Sequence, residues 1–308
     1  MLFEYKHRPE KRTIGVVIFG AKGYIGRKLF EKFQNKSIRL IGTHHKLTNE
    51  HSFFDLQKPD ISNIDLNGIS HGIICCGIPK IGFCEENPEI TNQSNVIGTL
   101  FLVEKLLEKN ITPIVFSTDY VFDGIEGNYS ELSPTRPLNE YGRQKEDLEK
   151  RIQSSYPDKC ILIRLSKVYG ISCGDNTLFD EMARKLLTKQ DISLAADQKF
   201  SPIYIEDVIR SIEYLIENKS RGLFHLCGTE SFSRYEMGVM LAHKFGVDAE
   251  LIKKISLDDL NEKFKRPKNT SMVSIDGSNL LSFKFLTVAQ AIDRIYIEYK
   301  KVHQFGEI

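Results

Sequence analysis

The sequence predicts an α/β protein, a Rossmann-type doubly wound parallel sheet with a small C-terminal substrate-binding subdomain. Three observations predict it. A buried β-branched run at 14–19 passes directly into a glycine-rich turn and then a helical pattern. Strand-like apolar runs alternate with helical stretches as far as residue 170. The residues suited to chemistry cluster where those runs end, and ligands of such sheets bind at the carboxyl ends of strands.

Composition agrees with that reading. The 308 residues are 41% hydrophobic, enough for one large doubly wound domain and a smaller appendage. A formal charge of +1 does not suggest a nucleic-acid binder. The six cysteines show no C-x-x-C pair, the eight histidines form no metal-ligand spacing with acidic partners, and no metal is expected. No run approaches the roughly 20 apolar residues of a membrane span. Residues 1–12 are charged and read as a loose arm, neither signal peptide nor membrane anchor, so a cytoplasmic location is expected.

Taken in order, 14–19 is the first strand. Gly20, Gly23 and Gly26 follow with G-x-x-G-x-x-G spacing. Gly20 permits the tight turn, Gly23 lets the backbone approach a pyrophosphate, and Gly26 lets the helix pack on the strand. Lys22, Tyr24 and Ile25 belong to the same turn and are expected cofactor contacts. Residues 39–43 form the second strand, whose end reads the adenosine ribose. NAD selectivity calls for a carboxylate there, but the chain has Thr43, His44, His45 and Lys46. These tolerate a 2′-phosphate, so Thr43, His44 and Lys46 are read as cofactor contacts, with NADPH expected and NADH the alternative.

Residues 53–56 make a short strand ending over the adenine, which brings in Asp55 and Leu56. Residues 72–77 are another buried strand, whose small terminal residues Cys75, Cys76 and Gly77 let a cofactor lie across it. Residues 90–110 have helical periodicity and carry Asn95. The strand 113–117 delivers Ser117 and Thr118, and 160–165 leads to Ser166, Lys167 and Val168. Beyond residue 170, the stretches 178–187, 204–216, 234–245 and 288–299 read as helices, the first capped by Asp175-Asn176-Thr177. Residues 224–226 return to the main sheet as a strand, and the irregular pieces form a lid over its edge. His225 and His243 sit in apolar surroundings and read as core or helix-surface residues.

Thr118 is followed by Tyr141 and Lys145, four residues apart at the start of a helix and therefore on one face. Such a pair alone is what many helix surfaces show; the upstream glycine turn gives it meaning. An ammonium beside a phenol favours the phenolate, so the Tyr141 pKa is expected to fall from about 10. That would make Tyr141 a general acid for a carbonyl receiving a hydride, with Thr118 donating a second hydrogen bond to the same oxygen.

The glycine turn, the stretch S-T-D-Y-V-F-D-G at 117–124 and the Y-x-x-x-K at 141–145 together resemble the extended short-chain dehydrogenase/reductases, and more narrowly the dTDP-4-dehydrorhamnose reductase branch. The resemblance continues through 86–89, 95–99, 164–170, 197–202 and 266–270. It implies NAD(P)H-dependent reduction of the 4-keto group of a nucleotide-linked deoxysugar, as in sugar biosynthesis for surface polysaccharide. Catalytic roles are implied for Thr118, Tyr141 and Lys145, and cofactor contacts at the residues above with Ser117, Ser166 and Val168. Ile78, Thr118, Asp119, Tyr120, Tyr141, Lys167, Arg266 and Asn269 fall on the substrate side. Residues 13–170 would be the cofactor-binding, catalytic domain and 171–308 mainly the substrate-binding one. Homodimers are frequent in the superfamily, through the helices after the fourth and fifth strands, and 90–110 is apolar enough to allow one.

Two departures lie on the substrate side. Lys167 stands where relatives carry an aromatic residue, and 77–82 read GIPKIG where many have A-Y-T-x-V-D. Lys167 and Lys80 would meet a phosphate or a more oxidised sugar, or be solvated. Two other readings share the scaffold. One is a related nucleotide-sugar reaction, such as epimerisation, dehydration or a ring-contracting dihydrostreptose-type synthesis. The other is a non-catalytic NADP-binding subunit like the regulatory subunit of methionine adenosyltransferase.

Overall fold

The computed structural model describes residues 14–46, 50–273, 281 and 283–303; the arm at 1–12 lies outside them. The strands are β1 (Val16–Phe19), β2 (Leu40–His44), β3 (Ser52–Phe53), β4 (His71–Ile74), β5 (Thr112–Thr118), β6 (Ile161–Leu165), β7 (Val168–Tyr169), β8 (Ile192–Ala195), β9 (Lys199–Phe200), β10 (Ile203–Tyr204), β11 (Gly222–Leu226), β12 (Phe232–Ser233) and β13 (Ile252–Ile255). The helices are α1 (Tyr24–Gln34), α2 (Ile81–Glu86), α3 (Pro88–Asn92), α4 (Thr99–Glu108), α5 (Glu140–Ser155), α6 (Leu178–Leu187), α7 (Ile205–Glu217), α8 (Arg234–Phe245) and α9 (Val288–His303).

Seven strands form one parallel sheet in the order β11-β6-β5-β4-β1-β2-β3. The order reverses beside β1, the switch point at which doubly wound sheets bind ligands. Strand periodicity divides the buried residues between the two faces. Val16 and Ile18 face α1 and α7 through Leu29, Phe33, Val208 and Ile212. Val17 and Phe19 face α4 and α5 through Leu102, Leu106, Leu148 and Ile152. A third apolar cluster joins α6, α8 and α9 around Phe179, Leu241, Ile295 and Tyr299.

The return of 224–226 to the sheet is realised as β11, which pairs with β6. Three two-stranded ribbons, β10–β7, β12–β9 and β13–β8, occupy the stretch read as irregular. The helix expected over 90–110 is broken into α3, a π-turn at Gln93–Gly98 and α4. The stretch 53–56 is extended only at its beginning, in β3. The cap expected from 175–177 also differs. The Thr177 side chain makes no capping bond to α6; instead Asp180, inside the first turn, reaches back to accept from the backbone N–H groups of Gly174 and Asn176 at 2.6 and 2.9 Å.

Candidate active site

Turn chemistry at the end of β1 shapes the first half of the site. Gly20 has φ +88°, the left-handed region, and a Cβ there would lie 2.8 Å from the backbone nitrogen of Cys76, so only glycine fits. At Gly26 a Cβ would overlap the Gly20 carbonyl, which lets α1 close onto the turn. Gly23 differs: a Cβ would meet nothing nearer than the Gly20 oxygen at 3.4 Å. The protein's own packing therefore leaves the space over Gly23 open. Gly23 is also the N-cap of α1 and offers no side-chain cap, so the first N–H groups of that helix are available to an anion.

The catalytic-type residues converge for a comparable reason. Asn139 caps α5 by accepting from the backbone N–H of Gly142 at 2.9 Å. A Cβ on Gly142 would overlap the Tyr120 carbonyl, so the start of α5 lies directly on the turn that follows β5. Tyr141 and Lys145 thus stand beside Thr118. Lys145 Nζ donates to the Phe116 carbonyl at 2.9 Å, and the Thr118 hydroxyl donates to Asp119 Oδ1 at 3.1 Å. The second oxygen of Asp119 accepts from Thr270 Oγ1 at 2.6 Å.

Electrostatics correct one expectation. Tyr141 is not drawn towards the phenolate: burial first, and the neighbouring Asp119 carboxylate second, hold its pKa above the ordinary value, with a Thr118 hydrogen bond pulling weakly the other way. Lys145 donates to a carbonyl rather than to the phenol, and burial lowers its pKa to about 8. Burial likewise raises Asp119 to about 6. Helical spacing conveyed the proximity of the two side chains but not the desolvation, which dominates. A phenol kept neutral still carries the proton that a general acid needs.

These residues line a cleft of two lobes. The larger, of about 840 Å³, has Tyr24, Ile25, Asn95, Ser117, Thr118, Asp119, Tyr120, Tyr141, Lys145, Ser166, Lys167, Val168 and Arg266 on its walls. The smaller, of about 630 Å³, is walled by Gly20, Lys22, Gly23, His44, Asp55 and Leu56. Cys75, Cys76, Gly77 and Ile78 belong to both. Three expected contacts are not on either wall. Thr43 is fully buried beneath the turn and accepts from the Gly20 N–H at 3.4 Å. Lys46 is exposed and its backbone N–H donates to His44 Nδ1. Asn269 is spent on the 124–128 loop, donating to the Glu126 carbonyl and accepting from Ser271 Oγ. Asn95 does reach the wall, but its amide is committed: Oδ1 accepts from the Ile78 N–H at 2.7 Å, and Nδ2 donates to the Ile78 carbonyl and to Gln144.

The sequence reading missed Gln198, Phe200, Arg234, Glu262 and Phe264, which also wall the larger lobe. Gln198 lies in the 197–202 stretch that carried part of the resemblance; Arg234, at the start of α8, gave no signal beyond an ordinary charged helix end. The Arg234 Nε donates to Gln198 Oε1 at 2.7 Å, and Gln198 donates to the Tyr120 hydroxyl. Arg266 is held by a two-pronged pair with Glu262.

The residues present fit an elongated, phosphate-bridged dinucleotide. The cleft is continuous past uncapped helix N–H groups, and the Ser117 and Ser166 hydroxyls are buried on its wall without a hydrogen-bond partner among the described residues. No group of three or more His, Cys, Asp or Glu among the described residues could hold a metal ion. No described helix is long and apolar enough to cross a membrane.

Comparison with known proteins gives the same picture. The chain is 28% identical over 276 residues to a probable low-salt glycan biosynthesis reductase from Haloferax volcanii, covering 85% of this chain and 90% of the relative. It is 24% identical over 276 residues to methionine adenosyltransferase 2 subunit beta from Bos taurus, covering 83% and 79%. Its fold matches that of dTDP-4-dehydrorhamnose reductase from Bacillus anthracis in complex with NADP, with a TM-score of 0.81 at 24% identity over 93% of this chain and 99% of that one. The family description "RmlD substrate binding domain" matches residues 14–300. The chain belongs to the RmlD substrate binding domain family.

Proposed function

We propose that the protein is an oxidoreductase that uses NADPH, with NADH the alternative, to reduce the 4-keto group of a nucleotide-linked deoxysugar, dTDP-linked in the first instance. In this reading 13–170 binds the cofactor and carries the catalytic groups, and 171–308 mainly binds substrate. The observation that carries it is the convergence of Thr118, Tyr141 and Lys145 on the wall next to the residues shared by both lobes. The similarity to a glycan biosynthesis reductase supports it.

Reduced nicotinamide supplies the hydride. Tyr141, held neutral by burial, gives its proton to the carbonyl oxygen as negative charge develops there. Thr118 turns its hydroxyl from Asp119 to that same oxygen. Lys145 uses one N–H on the Phe116 carbonyl, which fixes the ammonium and leaves two donors for the cofactor ribose. Lys22, His44 and the uncapped start of α1 supply positive potential at the other lobe, where a 2′-phosphate and the pyrophosphate need it.

The test is NADPH and NADH oxidation followed by absorbance, with dTDP-4-keto-6-deoxyhexoses as substrates. Wild type should turn over, and Tyr141→Phe should lose kcat by about 10²-fold or more, the range of a removed general acid, while binding NADPH normally. NADPH binding without turnover of any candidate sugar would instead favour a binding subunit, the reading raised by the likeness to methionine adenosyltransferase 2 subunit beta.

A further inference from the structure

Resting on the reductase reading, we propose that the preferred substrate is an acidic sugar, a nucleotide-linked keto sugar carrying a carboxylate, and that Lys167 with Arg234 reads that carboxylate.

The larger lobe has an excess of positive charge, with Lys80, Lys145, Lys167, Arg234 and Arg266 against Asp119 and Glu262. The cations are not equivalent. Lys145 is tied to the Phe116 carbonyl and Arg266 to Glu262. Lys167 and Arg234 have no carboxylate within ion-pair distance among the described residues. Asp119 and Glu181 only touch the Lys167 ammonium with their fields. Both Asp119 oxygens are already engaged by threonine hydroxyls. Burial and the neighbouring Arg234 hold the Lys167 pKa below its ordinary value, as expected for a cation awaiting a counter-ion.

Position separates a sugar-reading cation from a diphosphate-reading one. Leu165 pairs with Thr118 across β6 and β5, and Lys167 follows two residues later. Lys167 therefore stands just past the strand end that is level with Thr118, on the wall of the larger lobe, which in the reductase reading is the sugar's side. Arg234 comes from the start of α8, braced by Gln198 and lying over the Phe200 ring at 5.5 Å. A carboxylate between them would replace two uncompensated desolvated charges by charge-assisted hydrogen bonds.

The experiment compares binding of dTDP-glucuronic acid and dTDP-glucose by calorimetry in the presence of NADP, a readout that needs no turnover. Wild type should bind the acid at least about tenfold more tightly, the lower range for a hydrogen bond to a charged group. Lys167→Met should remove that preference by weakening the acid alone, with dTDP-glucose and NADPH affinities unchanged. Equal wild-type affinities would overturn the proposal. So would a Lys167→Met that weakens both ligands alike, because Lys167 would then serve the diphosphate they share. Acid preference in a protein that turns over no keto sugar would leave the assignment of Lys167 and Arg234 to a carboxylate standing while removing the reductase reading.

Discussion

Gly23 and Gly26 lie three residues apart in one turn, yet alanine should act on them in opposite ways. At Gly26 the added methyl overlaps a backbone oxygen that cannot swing aside. Forced overlap typically costs about 1–3 kcal/mol, partly offset by the roughly 1 kcal/mol by which alanine exceeds glycine in a helix. Gly26→Ala should therefore lower the stability of the cofactor-free protein by up to about 2 kcal/mol, the upper end being expected because the clash is with backbone. At Gly23 the backbone is extended, with φ −66° and ψ 162°, which alanine accepts, and the nearest atom is 3.4 Å away. A poorer N-cap costs about 0.5–1 kcal/mol, and restriction of the unfolded chain returns about 0.4–1 kcal/mol. The net change should be within about 0.5 kcal/mol, but the methyl fills the space a pyrophosphate would enter. Urea unfolding and fluorescence titration with NADPH separate the two effects. Gly23→Ala should unfold like wild type and bind NADPH at least about tenfold more weakly, a loss of about 1.4 kcal/mol. If Gly23→Ala is as unstable as Gly26→Ala, or binds NADPH as wild type does, the account of the open turn is wrong.

Two other predictions follow from buried charge. Asp119 titrates at about 6 when folded, against 3.8 ordinarily. Its burial therefore costs stability above pH 6, and the cost disappears as pH falls towards 3.8, since the folded state holds the proton more tightly. Asp119→Asn should raise stability at pH 7.5 by up to about 3 kcal/mol and at pH 4 hardly at all, measured as Tm against pH. The Arg164–Glu149 pair is buried, with Nη2 2.7 Å from Oε2. Arg164→Met alone should cost about 3–5 kcal/mol by denaturant unfolding, and Arg164→Met with Glu149→Leu much less, because the double change strands no charge.

The fold was legible where hydrophobic periodicity and glycine spacing decide it: β1, its turn, α1, α6, α8 and the return of β11 were all readable. The π-turn was not, because one extra residue in a helix leaves no mark on a window dominated by Val96, Leu100 and Val103. The two-residue strands β7, β9, β10 and β12 are too short to show alternation. In the site, the convergence of Thr118, Tyr141 and Lys145 followed from strand end and helix face. Lys46, read from its place after the second strand, and Asn269, read from the resemblance of 266–270, stand off the lobe walls, because neither signal says which way a side chain points. The direction of the Tyr141 shift needed the depth of the cleft, which spacing cannot convey.

The walls of the larger lobe come from two stretches of chain. Thr118, Tyr141 and Lys145 lie before residue 170; Gln198, Phe200, Arg234, Glu262, Phe264 and Arg266 come after it. Mutations that refit the later wall leave the proton donor and the glycine turn untouched. On the proposed reading, a lineage with this architecture can change its sugar through Arg234 and its neighbours together with the single earlier position Lys167, and keep the proton donor in place.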